Sequence, residues 1–152
     1  GNFIGNNRII NIGMIQETNK ICLETKGQRL FNITNLIENV ITLSKLNTGL
    51  INISILHTSA SLLIQENADK NVQKDLLNFF DKIAPMNENL YIHNDEGKDD
   101  MPAHIKSALT QTNLSLSFGN KKLKLGTWQG IYLFEHRIKP QKRTVLVHLI
   151  GE

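Results

Sequence analysis

The hydrophobic positions of the chain repeat with two periods, one typical of strands and one typical of helices. Alternating or isoleucine-rich runs predict strands at residues 8–16, 21–33, 50–66, 126–137 and 143–151. A hairpin is predicted at residues 114–125, with its turn at Gly119 and Asn120. We expect the first two strands to join in a turn near residues 17–20, and the last two in a turn at Pro140.

Spacings of three and four residues between hydrophobic positions predict three helices, at residues 34–46, 68–85 and 99–112. In the first, Asn35 and Glu38 have the spacing of a capping box. Its predicted buried face consists of Leu36, Val40, Leu43 and Leu46. The third is expected to begin at Asp99 or Asp100. Strands dominate both ends and helices occur singly, which predicts an α+β fold of mostly antiparallel sheets in one domain over residues 1–152.

Composition limits the classes of protein that the chain can belong to. With 152 residues, 40% of them hydrophobic and 20% charged, it has the composition of a soluble globular domain. No apolar run approaches the ~20 residues of a membrane span, and the net charge of +3 is scattered, so we expect neither membrane nor nucleic acid as a partner. Cys22 is the one cysteine, which excludes an internal disulfide and favours a reducing, cytoplasmic setting.

The segment "HNDEGKDDMPAH" is the strongest candidate for chemistry, because His93 and His104 flank four acidic residues. Imidazole and carboxylate groups together suit Zn²⁺ or another divalent ion. A solvated acidic loop at a helix N-terminus is the alternative, since the helix dipole favours carboxylates without any metal. His57, where an apolar run gives way to "TSAS", is a third candidate ligand.

Three other features are less specific. His148 lies in an apolar strand and fits a structural histidine, and His136 is predicted to share a strand face with aromatic side chains. The segment "GTWQG" at residues 126–130 combines two glycines with Gln129, a candidate polar contact to a ligand. Trp128 in that segment fits either a platform for a flat ring or a core side chain.

Three blocks, "HTSASLLIQENAD", "HNDEGKDDMPAHIKSAL" and "LKLGTWQGIYLFEHR", resemble in order and separation the YjbQ-like family, whose members are often described as secondary thiamine-phosphate synthases. The similarity runs from about Asn52 to the C-terminus, and the "GTWQG" block is its most specific part. It implies a compact α+β domain that forms homotrimers, with a pocket near the subunit boundary.

The resemblance also implies roles for individual residues. It suggests that three histidines bind a metal or anion: His57, His93 and His104. It suggests a catalytic role for three carboxylates: Glu135, Asp99 and Glu66. It suggests substrate contacts from five polar residues: Thr58, Ser59, Asn67, Gln129 and Arg137.

Two classes of function follow. The first is a metal-dependent enzyme, similar to a thiamine-phosphate synthase and acting on phosphorylated metabolites, with Zn²⁺ the expected ion and Mg²⁺ an alternative. Histidine ligands suit Zn²⁺ and a hydrolytic reaction better than diphosphate chemistry, so a zinc hydrolase is a variant of this class. The second is a trimeric protein that binds an anionic metabolite without turnover.

Overall fold

The computed structural model describes residues 13–152, which form eight strands, three α-helices and a single 3₁₀ turn. In chain order they are β1 (Ile15–Thr25), β2 (Arg29–Asn32), α1 (Thr34–Leu43), β3 (Gly49–Ile55), β4 (Ala60–Glu66), α2 (Lys70–Ile83), the 3₁₀ turn (Glu88–Leu90), α3 (Asp100–Leu109), β5 (Asn113–Gly119), β6 (Lys122–Leu123), β7 (Gln129–Glu135) and β8 (Gln141–Gly151). The predicted α+β class with mostly antiparallel sheets and three helices is confirmed.

The strands form two antiparallel sheets around a shared core. The larger sheet has the order β1-β8-β3-β5-β6 and the smaller one β2-β7-β4. Buried aliphatic side chains from both sheets and from α1 form one cluster, and examples are Ile37, Ile53, Leu62, Leu133 and Val147. A second cluster forms where Phe80 of α2 packs edge-to-face on Phe134 of β7. No helix within residues 13–152 has both the length and the apolar character needed to cross a membrane.

The antiparallel pair of strands β4 and β7 has two ends, and predicted site residues lie at both. Ala60 pairs with Glu135 at one end, and Glu66 pairs with Gln129 at the other. We call these the Glu135 end and the Gln129 end. At about 3.3 Å per residue, six steps along the strand place the two ends roughly 20 Å apart.

The predicted turn near residues 17–20 is wrong. Ile15–Thr25 is one continuous strand, and it pairs residue by residue with β8 from Gly151 to Gln141. The polar residues of "ETNK" therefore lie within a strand, because long-range pairing outweighs their turn preference. The remainder of the first predicted strand, residues 8–12, lies outside the described residues.

Helix α1 differs from its prediction in both its start and its buried face. It begins at Thr34, whose backbone N–H donates to Asn32 Oδ1 at 3.0 Å, so the predicted capping box at Asn35 is wrong. Ile37 and Ile41 are its buried residues, whereas Leu43 is 86% exposed. Ile37 and Ile41 are four residues apart and share one helix face, and this face rather than the leucine face packs into the core between the sheets.

Two predicted boundaries also shift. The single run 50–66 is divided by residues 56–59 into β3 and β4, which belong to different sheets. The hairpin turns at Asn120 and Lys121, which have φ values of 52° and 60°, and not at Gly119. Two consecutive residues with positive φ are typical of the tight turns that match the twist of a hairpin.

Candidate metal centre

His93, Asp100 and His104 converge at the N-terminus of α3. Each offers one ligand atom, and the three atoms lie within 4.8 Å of one another. Asp100 Oδ2 is 2.7 Å from His93 Nε2 and 3.1 Å from His104 Nε2. Asp100 and His104 are four residues apart on α3, so they share one helix face, and the preceding loop brings His93 to them. Among residues 13–152 this is the one group of three side chains suited to hold a metal ion.

The hydrogen bonds of His104 fix which of its ring nitrogens carries the hydrogen. His104 Nδ1 lies 2.9 Å from the backbone oxygen of Thr58. A carbonyl oxygen only accepts, so Nδ1 is the donor and Nε2 of the neutral ring presents its lone pair. That lone pair points at Asp100 Oδ2, which is also an acceptor. Two acceptors facing each other at 3.1 Å are favourable only when a proton or a cation lies between them.

Arg137 holds the carboxylate of Asp100 in place from behind. Arg137 Nη1 donates to Asp100 Oδ1 at 2.7 Å, and Arg137 Nε donates to Asp99 Oδ2 at 2.9 Å. Burial acts to raise the pKa of Asp100, but the contacts with His93, His104 and Arg137 outweigh it and lower that pKa. Asp100 is therefore an ionised candidate ligand whose second oxygen is held by Arg137, as the carboxylate ligands of metal sites commonly are by outer partners.

Solvent reaches the group from the histidine side. The side chain of Asp100 is only 6% exposed, whereas those of His93 and His104 are 46% and 32% exposed. The buried carboxylate of Asp100 is thus covered by two imidazoles that are partly open to solvent.

Glu135, predicted as catalytic, forms a buried ion pair with Arg143. It is fully buried, and Oε1 accepts from Arg143 Nε at 2.7 Å and from Thr25 Oγ1. Its Oε2 accepts from Arg143 Nη2 and from the backbone N–H groups of His136 and Arg137. Because both oxygens are saturated, Glu135 positions the chain that carries Arg137, and its carboxylate has no free lone pair for a substrate.

His57, predicted as a third metal ligand, is not among the three side chains that converge at the candidate metal centre. Its Nε2 accepts the backbone N–H of Thr144 at 2.8 Å, so that nitrogen cannot also bind a metal. Burial and the nearby charge of Arg143 lower the pKa of His57, and Glu135 opposes them only partly. The ring is therefore held neutral.

A cavity of about 280 Å³ lies between His57 and His104. Its lining residues are His57, Thr58, His104, Ser107, Ala108 and Thr112. Thr58, predicted to contact substrate, therefore lines it, and its carbonyl orients His104. Ser59 takes another role, since its Oγ and its backbone oxygen accept from Arg143 Nη2.

Three other predicted site residues lie at the Gln129 end and are not brought together with the histidines. Glu66 Oε2 accepts the backbone N–H of Asp69 at 2.7 Å, just before α2. The amide of Asn67 donates to the backbone oxygens of Thr127 and Gln129, and Gln129 Oε1 accepts the N–H of Gly126. These polar groups close a turn and begin a helix. Trp128 in that turn is 64% exposed, so it is not a core side chain.

His136 forms a buried pair with Ser61 near the Glu135 end. Its Nε2 lies 2.8 Å from Ser61 Oγ, which accepts from Thr110 Oγ1, and its ring lies against Phe134. His136 Nδ1 is buried without a partner in the described part of the chain. Burial, together with the charges of Lys106 and Arg143, lowers the pKa of His136 to about 3.

Asp100 is the candidate ligand that the sequence reasoning did not single out, since it was considered only as one of four acidic residues and as a helix start. The signal was present, because Asp100 and His104 are separated by four residues in a predicted helix. The two remaining features have ordinary surroundings: His148 Nε2 hydrogen-bonds to exposed Gln16, and Cys22 is exposed.

Comparison with known proteins gives one consistent family. A family model described as "UPF0047 protein YjbQ-like" matches residues 19–152. A UPF0047 protein of Synechocystis sp. is 48% identical over 132 residues, which cover 87% of this chain and 90% of that protein. The UPF0047 protein YjbQ of Escherichia coli O157:H7 is 41% identical over 133 residues, covering 87% and 96% of the two chains.

Solved structures agree with the sequence comparisons. A crystal structure of a YjbQ/UPF0047 family protein from Clostridium acetobutylicum superposes with a TM-score of 0.79 at 35% identity, covering 86% of this chain and 98% of that one. A YbjQ-like protein of unknown function from Sulfolobus solfataricus, 24% identical, shares the fold with a TM-score of 0.82 over 91% and 99% of the two chains. The chain belongs to the UPF0047, or YjbQ-like, family.

Proposed function

We propose that the protein is a divalent-metal-dependent enzyme whose ion, most suitably Zn²⁺, is held by His93, Asp100 and His104. The observation that supports this is the pair of acceptor atoms, His104 Nε2 and Asp100 Oδ2, that face each other at 3.1 Å. A cation between them turns an unfavourable contact into two bonds. Two imidazoles and one carboxylate form a donor set typical of catalytic zinc, with a position left open, whereas Mg²⁺ prefers oxygen ligands.

The protein's own residues prepare the site for such an ion. The Thr58 carbonyl fixes the tautomer and direction of His104, and Arg137 fixes the carboxylate of Asp100. A zinc ion bound there would polarise a carbonyl or phosphoryl oxygen and lower the pKa of a water molecule to about 7. The half-exposed side chain of His93 leaves solvent and substrate a path to the group.

Hydrolysis fits these contacts better than the transfer reaction of a thiamine-phosphate synthase. That transfer expels diphosphate, and its charge would have to be neutralised by free cations. Arg137 is already engaged with Asp99 and Asp100, and Arg143 with Glu135. We therefore place a zinc-dependent hydrolase first and the thiamine-phosphate-synthase-like transfer of phosphorylated metabolites second.

A binding protein without turnover is the remaining candidate. Protonated His93 and His104 would satisfy the same carboxylate without any metal, and His93 Nδ1 would then be the donor to an anion. Treatment with a chelator separates the two functions. Anion affinity that survives metal removal would support the binding protein, whereas its loss supports the metal-dependent enzyme.

Two further expectations are also proposals. The homotrimer rests on the family resemblance, and the cytoplasmic setting rests on the single cysteine. Light scattering in solution tests the first, because a trimer has three times the chain mass of 17.2 kDa.

The direct test is metal content. His104→Ala removes a ligand, and we expect zinc affinity to fall by more than about 100-fold, since even outer-shell partners of a metal are worth about 10–100-fold. The matched control is His148→Ala, which removes a histidine whose side chain, within residues 13–152, bonds only to exposed Gln16 and should leave zinc content unchanged. Elemental analysis after dialysis gives the result, and hydrolysis of p-nitrophenyl acetate is measured in parallel. Equal zinc content in both variants and the parent would contradict the proposal.

A further inference from the structure

We infer that the cavity between His57 and His104 binds a small uncharged carbonyl compound, an amide or an ester, whose oxygen accepts a hydrogen bond from His57 Nδ1. This inference deepens the proposed function, and it depends on that function for the reaction but not for the binding. His57 becomes a positioning residue, distinct from the metal ligand that the sequence suggested.

The first step of the argument is the tautomer of His57. The backbone N–H of Thr144 in β8 donates to His57 Nε2 at 2.8 Å. Because a backbone N–H can only donate, Nε2 supplies a lone pair and the hydrogen of the neutral ring lies on Nδ1. The strand fixes the direction of this donor, since Thr144 is part of the β1–β8 pairing.

The second step is that the N–H group at His57 Nδ1 has no acceptor among the described residues. Within residues 13–152, His57 Nδ1 makes no hydrogen bond, although it is not enclosed by the protein. The half-buried ring lines the cavity, and His104 lines it as well. A ligand in the cavity is thus in contact with an oriented N–H donor and with a proposed metal ligand, which is the arrangement that holds a carbonyl group for attack.

The third step is the size and charge of the cavity. Its volume of about 280 Å³ is at the lower limit for ligand pockets, which suits a compact molecule. None of the described residues that line it is Lys or Arg, and its wall is mostly apolar. The neighbouring Arg143 is engaged with Glu135 and Ser59. A charged phosphate or carboxylate would lose hydration there without a counterion, so an uncharged carbonyl compound is favoured.

The test uses benzamide, a flat uncharged amide that needs no metal to bind. We expect it to shift the imidazole ¹⁵N and ¹H signals of His57 in the full-length protein, with saturation in a titration. His57→Gln keeps an acceptor for the Thr144 N–H but removes the donor, and we expect about fivefold weaker binding, the usual worth of one hydrogen bond. His57→Asn is the matched variant, because its amide places a donor near the position of Nδ1 and should retain more affinity.

A second variant tests the cavity without touching the histidine. Ala108 is an exposed helical residue that lines the cavity, and Ala108→Leu fills the space while keeping a good helix former. We expect this variant to lose benzamide binding and to keep its zinc content. No shift of the His57 signals, or equal affinity in the parent and both the His57→Gln and Ala108→Leu variants, would overturn the inference. Zinc content is measured separately, so failure of the metal proposal is recognised independently.

Discussion

The two ends of the β4–β7 pair use polar residues in opposite ways. At the Gln129 end the side chains of Glu66, Asn67 and Gln129 each hydrogen-bond to backbone groups of a turn or a helix start. Near the Glu135 end, polar side chains are buried and contact each other, and two acceptor atoms, Asp100 Oδ2 and His104 Nε2, face each other. Polar side chains that bond to nearby backbone groups indicate a structural role, whereas two acceptors that face each other indicate that a proton or cation belongs between them.

The segment that best identifies the family is therefore not the segment that carries the candidate ligands. The "GTWQG" segment is the most specific block of the family resemblance, yet the structure uses it to close a turn beside β7. The segment from His93 to His104, a loop followed by the start of α3, has a far less specific spacing and supplies the candidate ligands. A segment can thus identify a family because the fold requires it, without taking part in a reaction.

The largest expected effect on stability is at the Glu135 end, where a substitution removes one partner of the buried Glu135–Arg143 ion pair. Glu135→Gln leaves the guanidinium of Arg143, itself buried, without an anion. Removal of one partner of a buried ion pair costs about 3–5 kcal/mol of unfolding free energy. Urea denaturation measures the loss. The double variant Glu135→Gln with Arg143→Met should recover part of it, because no uncompensated charge remains and the amide oxygen still accepts a backbone N–H group. A loss below about 1 kcal/mol in the single variant would contradict this assignment.

The next largest effect is the pH dependence of stability that results from the buried ring of His136. Its pKa is lowered to about 3 in the folded protein from 6.5, so below pH 6.5 the unfolded chain binds a proton that the folded chain does not. Stability should therefore fall as the pH falls, and His136 alone should account for about 1.4 kcal/mol between pH 7.5 and 5.5. Urea denaturation at both pH values measures this difference. His136→Gln should reduce the pH dependence by that amount, and an unchanged dependence would show that His136 is not the neutral buried group.

The smallest effect is expected at the Gln129 end, and it should concern stability alone. Asp69 is the N-cap of α2, where its side chain accepts the N–H of Asn71. Asp69→Ala should cost about 1 kcal/mol, while Asp69→Asn keeps a capping group and should cost little. Neither variant should change zinc affinity measured by titration. A loss of zinc affinity in Asp69→Ala would mean that the two ends are coupled.

The fold was largely predictable because its elements follow local patterns. The α+β class and three helices followed from hydrophobic periodicity, and the turn at Pro140 follows from its ring geometry. Errors arose where pairing partners distant in sequence decided the outcome. The strand Ile15–Thr25 includes a turn-like segment that β8 holds extended, and no local signal reveals such a partner.

The candidate site was predictable only in part. His93 and His104 lie together as expected, since the helix that begins near Asp100 returns the chain toward the preceding loop. The role of His57 was not predictable, because it depends on one backbone N–H of Thr144, 87 residues away. The family resemblance joined Glu66 and Gln129 to the histidines, although strand register places them at the far end.

The saturated carboxylate of Glu135 has a consequence for any redesign of the site. By accepting the backbone N–H groups of His136 and Arg137, it replaces the strand partner that β7 loses at that point. The same acid thus ends a strand and aims the guanidinium that steadies Asp100. A redesign of the candidate metal centre would therefore have to include Glu135, because substitutions at the partly exposed His93 and His104 leave the positions of Arg137 and Asp100 unchanged.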